Sequence, residues 1–169
     1  MTADHSSLRP LTPEDGEAAV ALINAAAGWY REFLGTEATR EPEMTLDEWG
    51  AEAQRMTWFG AFEGDVLAAV MGLEYVGDAA LLRHAYVLPH RQRHGIGARL
   101  HRHLEERAQG VERIIVGTYA ANFKARRALE SFGYSLSPDP AAILRRYYDI
   151  PDDRLESSVT YEKDLSPGR

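Results

Sequence analysis

The sequence predicts an α/β fold in which helices flank a mixed β-sheet. Helix-like and strand-like segments alternate along the 169 residues, and such alternation is typical of α/β domains. The length, the 44% apolar fraction and the 27% charged fraction are ordinary for one globular domain. We therefore expect a single domain over residues 1–169.

Two helices are predicted before the first strand. The first should cover residues 13–26, because Thr12 is a favourable N-cap that proline and two acidic residues follow. Residues 28–42 predict a loop or a broken helix. The second helix should begin at Thr45 and end near Met56, since a glutamate three residues after Thr45 completes a capping box.

Apolar runs and glycine positions predict the rest of the fold. Gly77-Asp78 suits the two-residue loop of a type II′ hairpin, and Gly110 and Gly133 suit helix ends. The predicted strands are residues 58–62, 66–75, 79–87, 111–116, a strand that begins at Tyr134, and 158–162. The predicted helices are residues 96–109, 122–132 and a short helix within 138–150.

A glycine-containing turn, residues 92–97 (QRHGIG), separates a predicted strand from an Arg-rich predicted helix. Backbone N–H groups at a helix N-terminus bind anions, and glycine permits close approach of a phosphate. A P-loop would need Lys-Ser or Lys-Thr after the glycines. A dinucleotide fingerprint would need glycine where Leu100 stands. The turn therefore predicts a phosphorylated ligand of another kind.

The segment Gln92-x-x-Gly95-x-Gly97 resembles the Q/R-x-x-G-x-G/A motif of the GCN5-related N-acetyltransferase (GNAT) family. Its flanks, and the later Asn122-x-x-Ala125 and Gly133-Tyr134, resemble that family as well. The resemblance implies a mixed, mostly antiparallel central sheet of the acyl-CoA N-acyltransferase type. It also implies that the pyrophosphate of acetyl-CoA lies on the backbone amides of the turn.

The resemblance carries a set of cofactor-binding residues to this chain. Asn122 caps a helix or bonds the pantetheine, and Arg126 reaches the CoA phosphates or belongs to a solvated helix face. The implied set is Ala85, Tyr86, Val87, Gln92, Arg93, His94, Gly95, Ile96, Gly97, Ala98, Asn122 and Arg126.

Acetyl transfer from a thioester needs a base for the amine and donors for the developing charges. In the predicted hairpin Glu74 faces Leu81 and Gly72 faces Arg83, and cross-strand partners share a face of the sheet. Family members tend to place catalytic groups on this row. Glu74 is the nearest carboxylate and the expected base, acting through water. Its alternative is a structural ion pair with Arg83.

The position of the family's general acid differs in this chain. A tyrosine usually stands seven residues after the asparagine, but here that residue is Leu129. Tyr119, Tyr134 and Tyr147 are possible substitutes, and Tyr134 is taken as the catalytic candidate. Leu129 also permits a protein that binds acyl-CoA without turnover.

The histidines predict no metal site. His90 and His94 fall in a loop, and His101 and His103 would splay apart on a helix. His84 lies in a predicted strand, where a lone histidine is more often a satisfied core group than a catalyst. The chain has no cysteine, so disulfides, thiolate metal sites and a cysteine nucleophile are excluded.

Charge distribution bears on the acceptor. Residues 1–78 carry 15 Asp/Glu against four Arg, a net charge of −11, whereas residues 83–107 carry six Arg against two Glu, a net charge of +4. The acidic part suits an amine substrate and argues against nucleic acid, unless the acidic and the basic segments are simply solvated faces. Trp29 and Tyr30 line the acceptor pocket or belong to the core, and Arg83 grips a substrate carboxylate or pairs with Glu74.

These observations predict an acetyl-CoA-dependent N-acetyltransferase that acts on a small primary amine by direct transfer in a ternary complex. The alternatives are acetylation of a protein N-terminus or lysine, and a non-catalytic acyl-CoA-binding module. Apolar runs too short for a bilayer and the lack of a secretory signal predict no membrane association and a cytoplasmic location. The tail around Tyr147-Pro151 closes the site or forms the contact of a homodimer.

Overall fold

The computed structural model describes residues 6–34, 42–92, 95–148 and 155–165, with the backbone alone for Ser6 and residues 29–34. The chain divides into two compact units. The first is Met1–Glu74 with His84–Arg107, and the second is Tyr75–Arg83 with Ala108–Arg169.

The strands of the described residues are β1 (Ser6–Pro10), β2 (Thr57–Glu63), β3 (Val66–Val76), β4 (Ala79–Val87), β5 (Arg113–Tyr119), β6 (Ser135–Leu136) and β7 (Ser158–Asp164). They form one mixed sheet in the order β1-β2-β3-β4-β5-β7-β6. Every pairing with a described register is antiparallel except that of β4 with β5, which is parallel. The predicted mixed, mostly antiparallel sheet is thereby confirmed.

The α-helices of the same residues are α1 (Gly16–Leu34), α2 (Leu46–Glu52), α3 (Ile96–Arg107), α4 (Phe123–Ser131) and α5 (Pro140–Tyr147). A 3-10 turn over Pro13–Asp15 precedes α1, with the predicted Thr12 as its N-cap. Thr45 caps α2 through the predicted capping box with Glu48. None of the described helices is long and apolar enough to cross a membrane.

The prediction of a loop from residue 28 is wrong as far as Leu34, because α1 continues through Gly28. One glycine costs a helix only about 1 kcal/mol, and Ala19, Ile23 and Ala27 anchor the helix in the core. Residues 35–41 of that predicted loop lie outside the described part. The helix α2 is shorter than predicted, because the chain tightens after Glu52 into a turn.

The strand β1 was not predicted. Its sequence, SSLRP, holds one large apolar residue and ends in proline, so it lacks the alternation that indicates a strand. It pairs antiparallel with β2, from Ser6↔Glu63 to Pro10↔Phe59. As the first strand in the sheet order it occupies an edge, where proline is tolerated.

The first unit has a core built from α1, α2, β2 and β3. Leu22, Ile23, Trp49, Trp58 and Val70 are each at most 4% exposed, and they belong to one packed cluster against which Tyr86 and Leu88 also lie. The rings of Trp49 and Trp58 stack with centroids 5.6 Å apart. This packing fixes the position of the second half of β4.

The second unit packs α5 against the strands. Ala79, Leu81, Ile115 and Tyr147 form its cluster. The parallel ladder of β4 and β5 runs from Ala79↔Arg113 to Leu82↔Val116, and β5 continues alongside β7 to Tyr119↔Ser158. The strand β5 thus begins two residues later than predicted and ends three residues later.

The turn between β3 and β4 agrees with the sequence prediction. Gly77 has φ of 58°, whereas Asp78 is not among the described non-glycine residues with positive φ. A positive φ at the first loop position alone is the signature of a type II′ turn. The two-residue loop Gly77-Asp78 therefore connects β3 and β4 as predicted.

Candidate functional site

The glycine turn and the start of α3 form the candidate anion site. Gly95 has φ of 79°, a left-handed conformation that favours glycine, and its carbonyl accepts a hydrogen bond from the Arg99 N–H at 3.0 Å. Gly95 is therefore the N-cap of α3. The N–H groups of Ile96, Gly97 and Ala98 have no acceptor inside the helix, and such groups at a helix start favour an anion.

Two contacts join this turn to the end of β4. A Cβ on Gly97 would stand 3.1 Å from Cγ2 of Val87, so glycine lets the helix start approach the strand closely. The Gln92 side chain donates to the Val87 carbonyl at 3.3 Å. Arg93 and His94 lie outside the described residues. The turn thus has a structural reason for Gly97 besides the anion.

The remaining predicted cofactor residues on β4 have different surroundings. Ala85 is exposed, and Tyr86 is half-buried against the core of the first unit. The Tyr86 hydroxyl donates to Oε1 of Glu43 at 3.4 Å. Contact of Ala85, Tyr86 or Val87 with a cofactor stays a prediction.

The second predicted cofactor segment lies in the second unit. Asn122 is 4% exposed and caps α4, with its Oδ1 accepting from the Ala125 N–H at 3.2 Å. Arg126 donates to the Ala120 carbonyl at 2.7 Å and to the Tyr161 hydroxyl at 3.0 Å. The cap that the sequence allowed is present. The guanidinium of Arg126 is held by the protein, which favours a structural role.

The two catalytic candidates from the sequence differ in exposure. Glu74 is half-buried on β3, within reach of water. Tyr134 is 3% exposed, and Nζ of Lys163 lies 5.5 Å from its ring centroid. Such burial weakens the prediction that Tyr134 delivers a proton to a leaving thiolate. The role of each stays a prediction.

Arg83, the predicted carboxylate-binding residue, lies on β4 with its guanidinium carbon 5.6 Å from the ring centroid of Tyr148. Such a cation–π contact orients the guanidinium. The other predicted acceptor residues, Trp29 and Tyr30, belong to α1, but their side chains lie outside the described part of the structure.

Tyr147 is not available as a proton donor in the way the sequence allowed. Its hydroxyl donates to Oδ1 of Asp78 and accepts from Nη2 of Arg113 at 2.7 Å. Arg113 also pairs with Glu162 at 2.6 Å. The hydrogen bond from Tyr147 is the main reason that the pKa of Asp78 is lowered, and burial raises the pKa of Tyr147 itself.

Sequence reasoning missed a histidine–carboxylate pair in the first unit. His84, inside β4, has φ of 55° and is the one non-glycine residue with positive φ in the described part. Its Nε2 lies 3.5 Å from Oε1 of Glu52, and its ring centroid lies 5.4 Å from that of Trp58. No sequence pattern signals either the backbone conformation or the pairing.

The other histidines have structural surroundings. His101 is 5% exposed and faces Glu105 along α3 at 3.8 Å. His103 packs edge-on to Phe59 with centroids 5.7 Å apart, and burial, followed by the charge of Arg107, lowers its pKa. Among the described residues no group of three or more metal-ligating side chains occurs.

The mixed sheet with its flanking helices has the acyl-CoA N-acyltransferase (GNAT) type of fold. The profile of the acetyltransferase (GNAT) family matches residues 19–134, which is more than half of the chain. The chain therefore belongs to the GNAT acetyltransferase family.

Solved structures agree in fold. The Escherichia coli ribosomal-protein-S18-alanine N-acetyltransferase is 20% identical, with a TM-score of 0.72 over 97% of this chain and 96% of that one. An acetyltransferase from Thermus thermophilus is 19% identical, with a TM-score of 0.70 over 95% and 97%. The PaiA N-acetyltransferase from Thermoplasma acidophilum, solved with coenzyme A, is 17% identical, with a TM-score of 0.68 over 98% and 100%. No curated protein gave a significant match.

Proposed function

We propose that the protein transfers the acetyl group of acetyl-CoA to the primary amine of a small molecule, by direct transfer in a ternary complex. Membership of the GNAT family supports an acyl-CoA-dependent acetyltransferase. The observation that carries the proposal is the start of α3. Three successive backbone N–H groups follow a left-handed Gly95 there.

The described residues at this turn fit a CoA diphosphate. Gly95 and Gly97 put no side chain in front of the amides of Ile96 to Ala98, and the dipole of α3 favours negative charge at this end. Arg91 is not part of this set, because its guanidinium pairs with Glu63 at 2.8 Å. Among the described residues of the turn, backbone amides would therefore provide the interaction with the diphosphate.

The acceptor class rests on charge and on Arg83. The acidic N-terminal part of the chain, with a net charge of −11 over residues 1–78, attracts a cationic amine. Arg83 would bind a carboxylate on the same substrate. Glu74, through water, remains the sequence-based candidate for the base, and a second candidate emerges from the strained histidine on β4.

Calorimetric titration with CoA tests the turn. The charged variant Ala98→Asp places an anion in the first turn of α3, which stabilises the helix but repels a diphosphate. We expect unchanged or higher thermal stability and at least tenfold weaker CoA binding. Ala98→Asn, the neutral variant of the same shape, should bind CoA within about threefold of the wild type.

Transfer of label from acetyl-CoA tests the reaction. We expect acetylation of small amines, most of all those that also carry a carboxylate. Label transferred only to peptide N-termini or lysines would replace the small-molecule acceptor with a protein. Tight CoA binding without transfer to any amine or peptide would make the protein a binding module. A wild-type protein that binds no CoA would overturn the proposal altogether.

A further inference from the structure

We propose that His84, oriented by Glu52, is the group that removes the proton from the acceptor ammonium. The inference rests on the proposed acetyl transfer. It assigns a catalytic role to His84, which the sequence analysis treated as a core group, and a positioning role to Glu52. Three observations support it: the backbone conformation of His84, the contacts of its ring, and its place on β4.

The backbone at His84 is strained. A left-handed conformation costs a non-glycine residue about 1–3 kcal/mol and persists only where the surroundings impose it. Here it occurs inside a strand, at φ of 55°, two residues after the last described β4–β5 pair, Leu82↔Val116. Among non-glycine residues histidine and asparagine are both enriched in this region, so asparagine can replace His84 without a change of backbone conformation.

The ring is fixed on two sides. Trp58, which is 2% exposed, lies against it at 5.4 Å between centroids. Glu52 of α2 faces Nε2 at 3.5 Å, and Oε2 of the same carboxylate binds Nη2 of Arg55 at 2.6 Å. Arg55 thus holds the carboxylate that orients the imidazole.

This arrangement determines which nitrogen can act as a base. Nε2 is buried and makes no hydrogen bond in the described residues, so the exposed 21% of the side chain lies on its other atoms. A carboxylate beside Nε2 favours the tautomer that carries its proton there. Nδ1 then keeps its lone pair. A carboxylate that orients a histidine base is the arrangement of serine hydrolases, with the two ring nitrogens in exchanged roles.

The position on β4 suits the reaction. The end of β4 lies against the start of α3, through Val87 and Gly97. A CoA molecule with its diphosphate on α3 would present its thioester near the middle of β4 if its arm ran back along the strand. His84 lies three residues before Val87, a distance of about 10 Å along a strand.

Acetyl transfer begins with removal of a proton from the acceptor ammonium. The ammonium gives one proton to Nδ1, and the neutral amine attacks the thioester carbonyl, so a C–N bond forms. The tetrahedral intermediate then loses a proton from nitrogen, the C–S bond breaks, and the thiolate takes up that proton. The imidazolium releases its own proton to water. The products are the amide, CoA thiol and one proton.

The substitution His84→Asn tests the role, because asparagine tolerates the left-handed backbone but is no base. We expect kcat at pH 7 to fall at least 100-fold, since general bases contribute about 10²–10⁴-fold, while the Kd for CoA changes less than twofold. Activity should recover partly at high pH, where the free amine exists in solution. His90→Asn, on an exposed residue of the loop after β4, is the matched control and should retain wild-type kcat.

The variant Glu52→Gln separates orientation from packing. It keeps the shape of the side chain, and we expect about a tenfold lower kcat with an unchanged Kd for CoA and with loss of the His84 tautomer that carries its proton on Nε2. A fall in kcat with the tautomer unchanged, or an equal loss of CoA binding, would assign the pair a purely structural role. A folded His84→Asn protein with kcat within twofold of the wild type would overturn the proposal.

A measurement on the wild-type protein covers the case in which His84→Asn fails to fold. Long-range ¹H–¹⁵N NMR spectra distinguish the two imidazole tautomers. We expect His84 with its proton on Nε2, and a proton on Nδ1 would overturn the proposal without any kinetic experiment. If instead the wild type binds no CoA, the acetyl-transfer function fails, whereas the tautomer result still stands for the pair.

Discussion

The backbone N–H of Tyr134 donates to the carbonyl of Leu129 at 3.0 Å, and the N–H of Gly133 donates to Glu130 at 3.1 Å. With Gly133 at φ of 94°, these two bonds form a Schellman motif at the end of α4. In this motif the residue after the glycine packs against the residue three from the helix end. Leu129 and Tyr134, which are 6% and 3% exposed, occupy those two positions.

This relationship leads to a prediction for Tyr134→Phe. The phenyl ring can fill the same space, so we expect unfolding free energy within about 1 kcal/mol of the wild type and kcat reduced less than threefold. Steady-state kinetics and urea unfolding of the same preparation measure both. A fall in kcat of tenfold or more at unchanged stability would instead restore Tyr134 as the general acid predicted from the sequence.

Local chemistry explains why most of the fold could be predicted. The capping box at Thr45 and the II′ turn at Gly77 depend on residues next to each other, and both are present. The edge strand β1 could not be predicted, because its five residues are held by pairing with β2 and not by their own pattern. The extension of α1 past Gly28 likewise depends on tertiary packing, which overrides a weak propensity.

Tyr147→Phe is expected to destabilise the second unit. The hydroxyl joins Asp78 to Arg113, and both partners would lose a hydrogen bond, at a cost of about 1–3 kcal/mol. Since this bond lowers the pKa of Asp78, part of the cost appears only while Asp78 is ionised. The wild-type advantage should therefore be complete above the ordinary aspartate pKa and shrink as the pH falls through the lowered value.

Urea unfolding at neutral pH and under acidic conditions measures this difference. A double-mutant cycle with Asp78→Asn isolates the pairwise energy. CoA binding should not change, because neither residue belongs to the proposed cofactor set. An additive cycle would mean that the hydroxyl contributes nothing through Asp78.

Asn24→Ala should destabilise the first unit by about 2 kcal/mol. The Asn24 side chain donates to the Met44 carbonyl at 2.9 Å and accepts from the Met44 N–H at 3.0 Å, so its removal leaves two backbone groups without these partners beside the buried Met44 side chain. Glu17→Ala, on an exposed position of the same helix, should change stability by less than about 0.5 kcal/mol. Equal effects of the two substitutions would contradict a stabilising role for the hydrogen bonds between Asn24 and Met44.

The candidate site could be predicted only where its chemistry lies in the backbone. Gly95 and Gly97 signal their role because few other residues permit that conformation and that close approach. The His84–Glu52 pair joins β4 to α2, and its geometry depends on a left-handed residue inside a strand that no sequence rule anticipates. Glu74 was favoured because hairpin register can be read from the sequence, whereas contacts between distant elements cannot.

Asp15 provides a test of acid stability with a definite pH range. Hydrogen bonds from Arg9, at 2.9 Å and 3.1 Å, are the first cause that lowers the pKa of Asp15 from 3.8 to about 2. A carboxyl group with a lowered pKa adds stability above its unfolded value and loses it as the pH falls through the folded one. Because the Arg9 side chain is 46% exposed, we discount the ion pair for screening and expect Asp15→Asn to cost about 1 kcal/mol at pH 7. The difference from the wild type should decline from about pH 4 downwards and be mostly gone near pH 2, as measured by urea unfolding.

Asp47→Asn removes the same charge from the exposed first turn of α2 and should cost only a few tenths of a kcal/mol. A cost for Asp15→Asn that stays constant from pH 7 to pH 2 would show that the charge of Asp15 is not what stabilises the 3-10 turn before α1.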